Sequence, residues 1–260
     1  MTFENLLVED IGAVRRITVN RPDKMNALNA QTLAELVAAF EQARDAAAVR
    51  AVIIRGAGEK AFIAGADISE LAKVTPIQAR EFARRGQHTM RVIETLGKPV
   101  IAQINGYALG GGMELALACH LRIASQQARL GQPEINLGIL PGFGGTQRLL
   151  RLTGRGPTLE LCLTGAQIDA ERAYALNLVN RVVAADELEG ATLALAEQLA
   201  ASAPEALRCI LDTVIYGGEA DLVTGLDYEA QTFATCTATE DMREGTQAFL
   251  QRRKAVFTGK

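Results

Sequence analysis

The sequence predicts an α/β fold, and three observations carry the prediction. Short apolar runs bounded by turn residues alternate with longer segments of helical periodicity. The order strand, glycine-rich loop, helix recurs along the chain, the mark of repeated crossovers. With 48% hydrophobic and 22% charged residues over 260 positions, the chain can also build a substantial core.

Taken in order, the segments around Leu6 to Val8 and Val14 to Val19 read as strands. RRITVN alternates its side chains between two faces before the turn-like NRPDK, so the chain opens on a hairpin or meander. AQTLAELVAAFEQARD then places Leu33, Leu36, Val37 and Phe40 on one helical face, with Asn29 as its cap. VRAVIIRG is a short apolar strand that ends in Arg55-Gly56 and delivers the chain into GAGEKAFIAGADISEL, where small residues let the backbone approach a ligand. A helix over Pro76 to Thr95 precedes the strand KPVIAQIN and the loop-to-helix run GYALGGGMELALACH. LRIAS and ARLGQPE read as further strands or strand ends, and ILPGFGGTQRLLRL as a loop followed by a helix. From about Pro157 the pattern is mostly helical, broken by the strand NLVNRVV and the turns TGAQ and YGGEA. A soft boundary near residue 200 divides a core, 1–200, from a helical region, 201–260.

Composition removes whole classes of function. The 27 basic and 30 acidic residues leave a net charge of −3, which disfavours a polyanion-binding surface and a nucleic-acid partner. No apolar run reaches the length of a membrane span, and the first residues lack the basic-then-apolar pattern of a secretory leader. Cys119, Cys162, Cys209 and Cys236 are far apart and form no CxxC pair, so they read as free thiols in a reducing cytoplasm. Cys119 is better explained as a buried thiol than as a nucleophile. His88 and His120 have no metal-ligand spacing and read as surface or structural residues. A phosphate loop, a GxGxxG after a strand and a nucleophile elbow are all missing, which ranks nucleotide hydrolysis, nicotinamide binding and serine hydrolysis low.

Three segments carry chemistry. In Gly110-Gly111-Gly112-Met113-Glu114, a glycine amide at a helix start can bind developing negative charge, although close helix packing alone also explains the glycines. Glu114 opens a helix rich in Leu, Ala and Cys, so it needs a partner or a purpose; bonding to helix amides is the alternative. Glu134, in LGQPEINLGILPG, can meet Glu114 across a cleft and divide acid from base work. Capping, or ion pairing with Arg129 or Arg148, competes with that reading. In Ala64-Gly65-Ala66-Asp67-Ile68, the amide of Ala66 can join that of Gly111 as a two-donor hole for an oxygen that gains charge, while Asp67 caps a following helix.

The runs NRPDKMNALN, AVIIRGAGEKAFIAGADI, KPVIAQINGYALGGGMELALAC and GQPEINLGILPGFGGTQRL occur in an order that resembles the enoyl-CoA hydratase/isomerase, or crotonase, family over nearly the whole chain. The resemblance implies a spiral of repeated β-β-α units followed by a helical trimerisation region, with a homotrimer or a hexamer built as a dimer of trimers. It implies that Ala66 and Gly111 supply oxyanion-hole amides and that Glu114 and Glu134 are the catalytic acids. Because many isomerases keep only one of these acids, the pair implies an enoyl-CoA hydratase. Such an enzyme adds water reversibly to a trans-2-enoyl-CoA to give a 3-hydroxyacyl-CoA, in fatty-acid or related acyl-CoA degradation. Glu114 would mainly activate water and Glu134 mainly transfer the proton at the α carbon.

The resemblance requires no metal or redox cofactor, since coenzyme A is part of the substrate. Ala64, Ala66, Asp67, Ile68 and Gly111 would border the CoA path. Arg21 or Lys24 would approach a phosphate, as would Arg252, Arg253 or Lys254 in the same or a neighbouring subunit, unless these cations simply form a solvated face. Phe249 and Phe257 read as packing residues. His120 stands where the family often has an aspartate. The competing activity is a double-bond isomerase acting on 3-enoyl-CoA. A non-enzymatic acyl-CoA- or RNA-binding scaffold is the alternative of a different class, and the charge balance disfavours its RNA-binding form.

Overall fold

The computed structural model describes residues 2–72 and 74–260. The chain opens with the antiparallel hairpin of β1 (Leu6–Ile11) and β2 (Val14–Val19), followed by α1 (Ala30–Asp45). Asn29 caps α1 by accepting from the Thr32 amide at 2.8 Å, and the helix buries Leu33, Leu36 and Phe40. Two further repeats follow, β3 (Ala51–Gly56), β4 (Ala61–Ile63) and α2 (Pro76–Glu94), then β5 (Val100–Ile104), β6 (Tyr107–Leu109) and α3 (Gly111–Ala118). A fourth has β7 (Leu121–Ser125), β8 (Arg129–Gly131), α4 (Gly145–Thr153) and α5 (Arg155–Thr164). Next come β9 (Gln167–Asp169), α6 (Ala170–Ala175), β10 (Arg181–Val183) and α7 (Leu188–Ala200).

From the second repeat on, each unit sends its first strand to one sheet and its second strand to another. The six-stranded sheet has the order β1-β2-β3-β5-β7-β10, and the four-stranded sheet the order β4-β6-β8-β9. All pairs are parallel except β1 with β2 and β8 with β9. Parallel strands covered on both faces need no polar side, which is why β3 and β5 read as near-continuous apolar runs. One face of the larger sheet packs Ile54, Val100 and Ala102 in a core with Phe40, Phe62 and Met113. The other face packs Ile53, Ile101 and Ile123 with Leu188 and Ala196 of α7.

The second sheet was only partly legible. GYALGGG reads as loop, yet Tyr107–Leu109 is a strand paired with both β4 and β8. Strands of three residues are too short to show a period, and only pairing reveals them. Helix α3 follows directly and lies against the end of β4, where a Cβ on Gly112 would stand 1.9 Å from the Ile63 carbonyl oxygen.

The last helices are α8 (Pro204–Asp212), α9 (Leu222–Cys236) and α10 (Glu240–Leu250), with a π-helical turn, Thr213–Gly217, after α8. The tail returns to the core. Arg50 Nη1 donates to the carbonyls of Ala200 at 3.4 Å and Phe257 at 3.2 Å, and Asp241 accepts from the amides of Thr258 and Gly259 at 2.7 and 2.8 Å. Phe257 packs toward α10, but Phe249, read as a packing residue, is 83% exposed in the single chain. No helix among the described residues is long and apolar enough to cross a membrane.

Candidate active site

The N-terminal end of α3 forms the floor of a cleft of about 880 Å³, lined by Ala64, Ala66, Ile68, Gly111, Glu114 and Glu134 among others. Two backbone donors meet there. A parallel bridge joins Leu28 to Ala66 through the Gly65 carbonyl and the Asp67 amide, which turns the amide of Ala66 itself to the opposite side. Gly111 is the first residue of α3, and the first bond of that helix runs from the Glu114 amide to the Gly110 carbonyl, so the Gly111 amide lies outside the intrahelical set. The two donors are neighbours: a Cβ on Gly111 would lie 3.3 Å from the Ala66 nitrogen.

Glu114 is 1% exposed, and its Oε1 accepts from the amides of Phe143 and Gly145, both at 2.7 Å. These donors belong to the turn that begins α4. The acid therefore does bond to helix-start amides, but to those of another helix. Burial pushes Glu114 up to about 7, the nearby Glu134 charge adds to the rise, and the two amides and the charge of Arg148 oppose it. Glu134 lies in a short 3₁₀ turn, Pro133–Leu137, and burial raises it to about 6. Its carboxyl lies against Gly110, where a Cβ would come within 2.9 Å of Oε1; with φ at +50°, that position favours glycine twice over. Buried Gln132, with its amide nitrogen turned toward Glu134, donates to Oε1 and Oε2 at 3.0 and 3.1 Å.

The structure does not place every candidate residue on the cleft. Arg21 donates to the Ala27 carbonyl and pairs with Asp67 at 3.1 Å, which ties the NRPDK turn to the AGAD loop. Asp67 also accepts from the Ser69 amide and hydroxyl, as a cap would. Neither Arg21 nor Asp67 lines the cleft, and neither do exposed Lys24, Arg252 and Lys254. Arg253 is held by Glu244 at 2.6 and 2.7 Å. Arg148 pairs with Glu94 rather than with either catalytic candidate, and Arg129 donates to the neighbouring Ala128 carbonyl. Cys119 is buried, donates to the Leu115 carbonyl and is pushed up to about 12 by burial, the environment of a structural thiol. Half-buried His120 accepts from the Val100 amide at Nδ1, 2.9 Å, and its Nε2 lies 3.0 Å from the Glu94 carbonyl. A neutral ring protonated at Nε2 satisfies both contacts, and burial lowers its pKa. Among the described residues, no cluster of His, Cys, Asp and Glu could hold a metal ion.

Sequence reasoning missed Gln132 and the wall formed by Phe82 and Phe143, whose ring centroids are 5.1 Å apart. Gln132 stands two residues before Glu134, but such a spacing has no meaning until the backbone path is known.

Residues 9–260 match the enoyl-CoA hydratase/isomerase family. The chain belongs to that family. It is 44% identical over 254 residues to a short-chain-enoyl-CoA hydratase of Clostridium acetobutylicum, covering 98% of this chain and 97% of the relative. It is also 44% identical over 260 residues to a crotonyl-CoA hydratase of Syntrophomonas wolfei, covering all of both. A crystal structure of an enoyl-CoA hydratase from Bacillus anthracis superposes with a TM-score of 0.95 at 42% identity, covering 99% of this chain and 100% of that one. The α/β architecture is thus the crotonase fold, and the paired sheets and returning tail described above are its form in this member.

Proposed function

We propose that the protein is an enoyl-CoA hydratase, a lyase that adds water reversibly to a trans-2-enoyl-CoA to give a 3-hydroxyacyl-CoA. The observation that carries this reading is the convergence of two backbone donors and two carboxyls with raised pKa values on one cleft, in a chain of this family. The Ala66 and Gly111 amides polarise the thioester carbonyl and stabilise the charge that reaches its oxygen as the enolate develops. Removing one such donor costs roughly 3 kcal/mol of transition-state stabilisation in comparable sites.

Water gives its oxygen to the β carbon and one proton to a carboxylate, while the other carboxyl gives a proton to the α carbon. Proton exchange between the two acids resets the pair. Glu114 activates the water and Glu134 protonates the α carbon. Burial raises both acids, and the charge of Glu134 adds to the rise at Glu114, so the pair can hold the one shared proton that this division of work requires. Metal or redox chemistry is not needed for these steps, and coenzyme A enters and leaves with the substrate.

Ala64 and Ile68, which line the cleft, border the path of the thioester, and Lys24, Arg252 and Lys254, exposed and outside the cleft, meet CoA phosphates at the protein surface or across a subunit boundary. The chain assembles as a homotrimer, or as a hexamer of two trimers, through its C-terminal helices, and works in a reducing cytoplasm that suits four free thiols. Its place is in fatty-acid or related acyl-CoA degradation.

Purified protein given short, medium and long trans-2-enoyl-CoAs should remove the conjugated double bond, read as loss of its ultraviolet absorbance. No loss with any of them, together with conversion of a 3-enoyl-CoA, would replace this reading with the isomerase.

A further inference from the structure

Residue Phe143 is held from both sides. Its amide donates to Glu114 Oε1 at 2.7 Å, and its carbonyl accepts from Arg148 Nη1 at 3.2 Å. The rest of the Arg148 guanidinium forms a fork on Glu94, Nε to Oε1 and Nη2 to Oε2, both at 3.2 Å. Glu94 is itself fixed: it ends α2, its carbonyl faces His120 Nε2 at 3.0 Å, and its Oε2 accepts from Arg91 at 3.2 Å. The Arg148 and Glu94 side chains are only 17% and 25% exposed, so this pair is more constrained than a loose surface contact. Gly144 lets the guanidinium lie against the turn: its φ is +108°, and a Cβ there would stand 2.3 Å from Arg148 Nη1.

Arg148 does not line the cleft, so whatever it contributes to the reaction passes through other residues. We propose that Arg148, forked on Glu94, is a positioning residue that holds the Phe143–Gly145 turn so that both of its amides keep their grip on Glu114. The proposal rests on the reading of Glu114 as one of the catalytic acids. Two consequences follow from the geometry. A turn that drifts loosens two short bonds to a buried carboxyl, and a small misplacement of a reacting group is costly. The guanidinium also brings positive charge toward Glu114. The other groups that face this acid are Glu134 from its 3₁₀ turn and Cys162 from α5; Cys119 lies further along its own helix, and Glu94 and Arg91 stand behind Arg148. Arg148 is the cation among them whose charge favours the ionised form of Glu114.

Two substitutions separate position from charge. Arg148→Gln removes both, whereas Arg148→Lys keeps the charge and loses the fork. The measurement is kcat and KM for a four-carbon trans-2-enoyl-CoA from about pH 5 to about pH 10. Arg148→Gln should lower kcat by about tenfold to a hundredfold with KM changed by no more than about twofold. It should also move the alkaline limb to higher pH, because Glu114 has lost the cation whose charge favours its ionised form. Arg148→Lys should lower kcat with the limb near its wild-type place. Unchanged kcat in Arg148→Gln, or a fall by one factor at every pH with the limb unmoved, would overturn the proposal. If Arg148→Gln fails to fold, the nearly isosteric Glu94→Gln decides: reduced kcat with retained KM supports the brace, and wild-type kcat overturns it. Glu114→Gln, measured alongside, keeps the two readings apart. Continued hydration by that variant removes Glu114 from the chemistry, whereas an inactive Glu114→Gln with an unmoved Arg148→Gln profile overturns the brace alone.

Discussion

Helices α3 and α9 make opposite use of apolar residues. All eight residues of α3 are buried, including Glu114, because β4, α2 and α4 close around it. None of the fifteen residues of α9 is buried, and Leu222, Val223, Leu226 and Phe233 are more than half exposed. Ile210, Val214 and Phe249 on neighbouring segments extend the same exposed apolar character. The contrast teaches that this chain encloses the helix at the floor of its cleft by itself, whereas the apolar residues of α9 find no cover within the single chain. Grouped exposed apolar residues of this kind are what the proposed subunit contact would cover.

The largest effect is expected at the acids of the cleft, unless α3 is only a packing helix. Glu114→Gln and Glu134→Gln should each lower kcat for enoyl-CoA hydration by about a thousandfold, within the usual range for lost acid-base catalysis, while circular dichroism stays unchanged. Retained hydration in both would return α3 to a structural role.

A second test uses the cost of placing an acid in that floor. The folded-state pKa of Glu114 is raised, so the stability penalty is absent below the unfolded value, grows as pH rises and is complete above about 7. Glu114→Gln removes it and keeps an oxygen for the two amides. The variant should therefore be more stable than wild type at alkaline pH by on the order of 3 kcal/mol, with the difference vanishing in mild acid. Denaturant titrations at both pH values check this, and an equal difference at both would show that burial of charge is not the cause.

Close packing around α3 predicts a smaller loss. Gly112→Ala puts a methyl group where the Ile63 carbonyl already lies, at 1.9 Å, and should cost about 1–3 kcal/mol of unfolding free energy, the usual penalty for overpacking. Activity should fall with it, since Ile63 leads directly into the Ala64–Ala66 segment. Wild-type stability in this variant would mean that α3 can move.

For α9 the corresponding change acts on assembly. Phe233→Asp should leave the fold of the single chain intact, because the ring touches little of it, and weaken the oligomer by about 2 kcal/mol if Phe233 is a central contact. Light scattering across a dilution series reads the shift toward smaller species. An unchanged mass at every dilution would place the subunit contact elsewhere.

Much of this molecule is readable residue by residue where the code is local. The α1 cap at Asn29, the opening hairpin and the thiol character of Cys119 follow from neighbours in sequence. The acids Glu114 and Glu134 stand out because a charge inside an apolar helix and a charge beside glycine turns both demand a reason. The phosphate-binding role considered for Arg21 shows the limit. Its partner, Asp67, is 46 residues away, and only the bridge between Leu28 and Ala66 brings the two loops together. Gln132 and Arg148 are a similar case, since their meaning depends on which backbone atoms lie across from them.

Short windows of sequence were enough for the α/β class, the order of repeats and the family, and they singled out Glu114 and Glu134 as candidates, because periodicity, glycine placement and a charge among apolar residues are local properties. The tertiary structure decided which amides face one another, how strongly each acid resists ionisation and which cations are already taken. Those depend on distances between segments and on exclusion of water, and neither quantity exists until the sheets have paired and α3 has been enclosed.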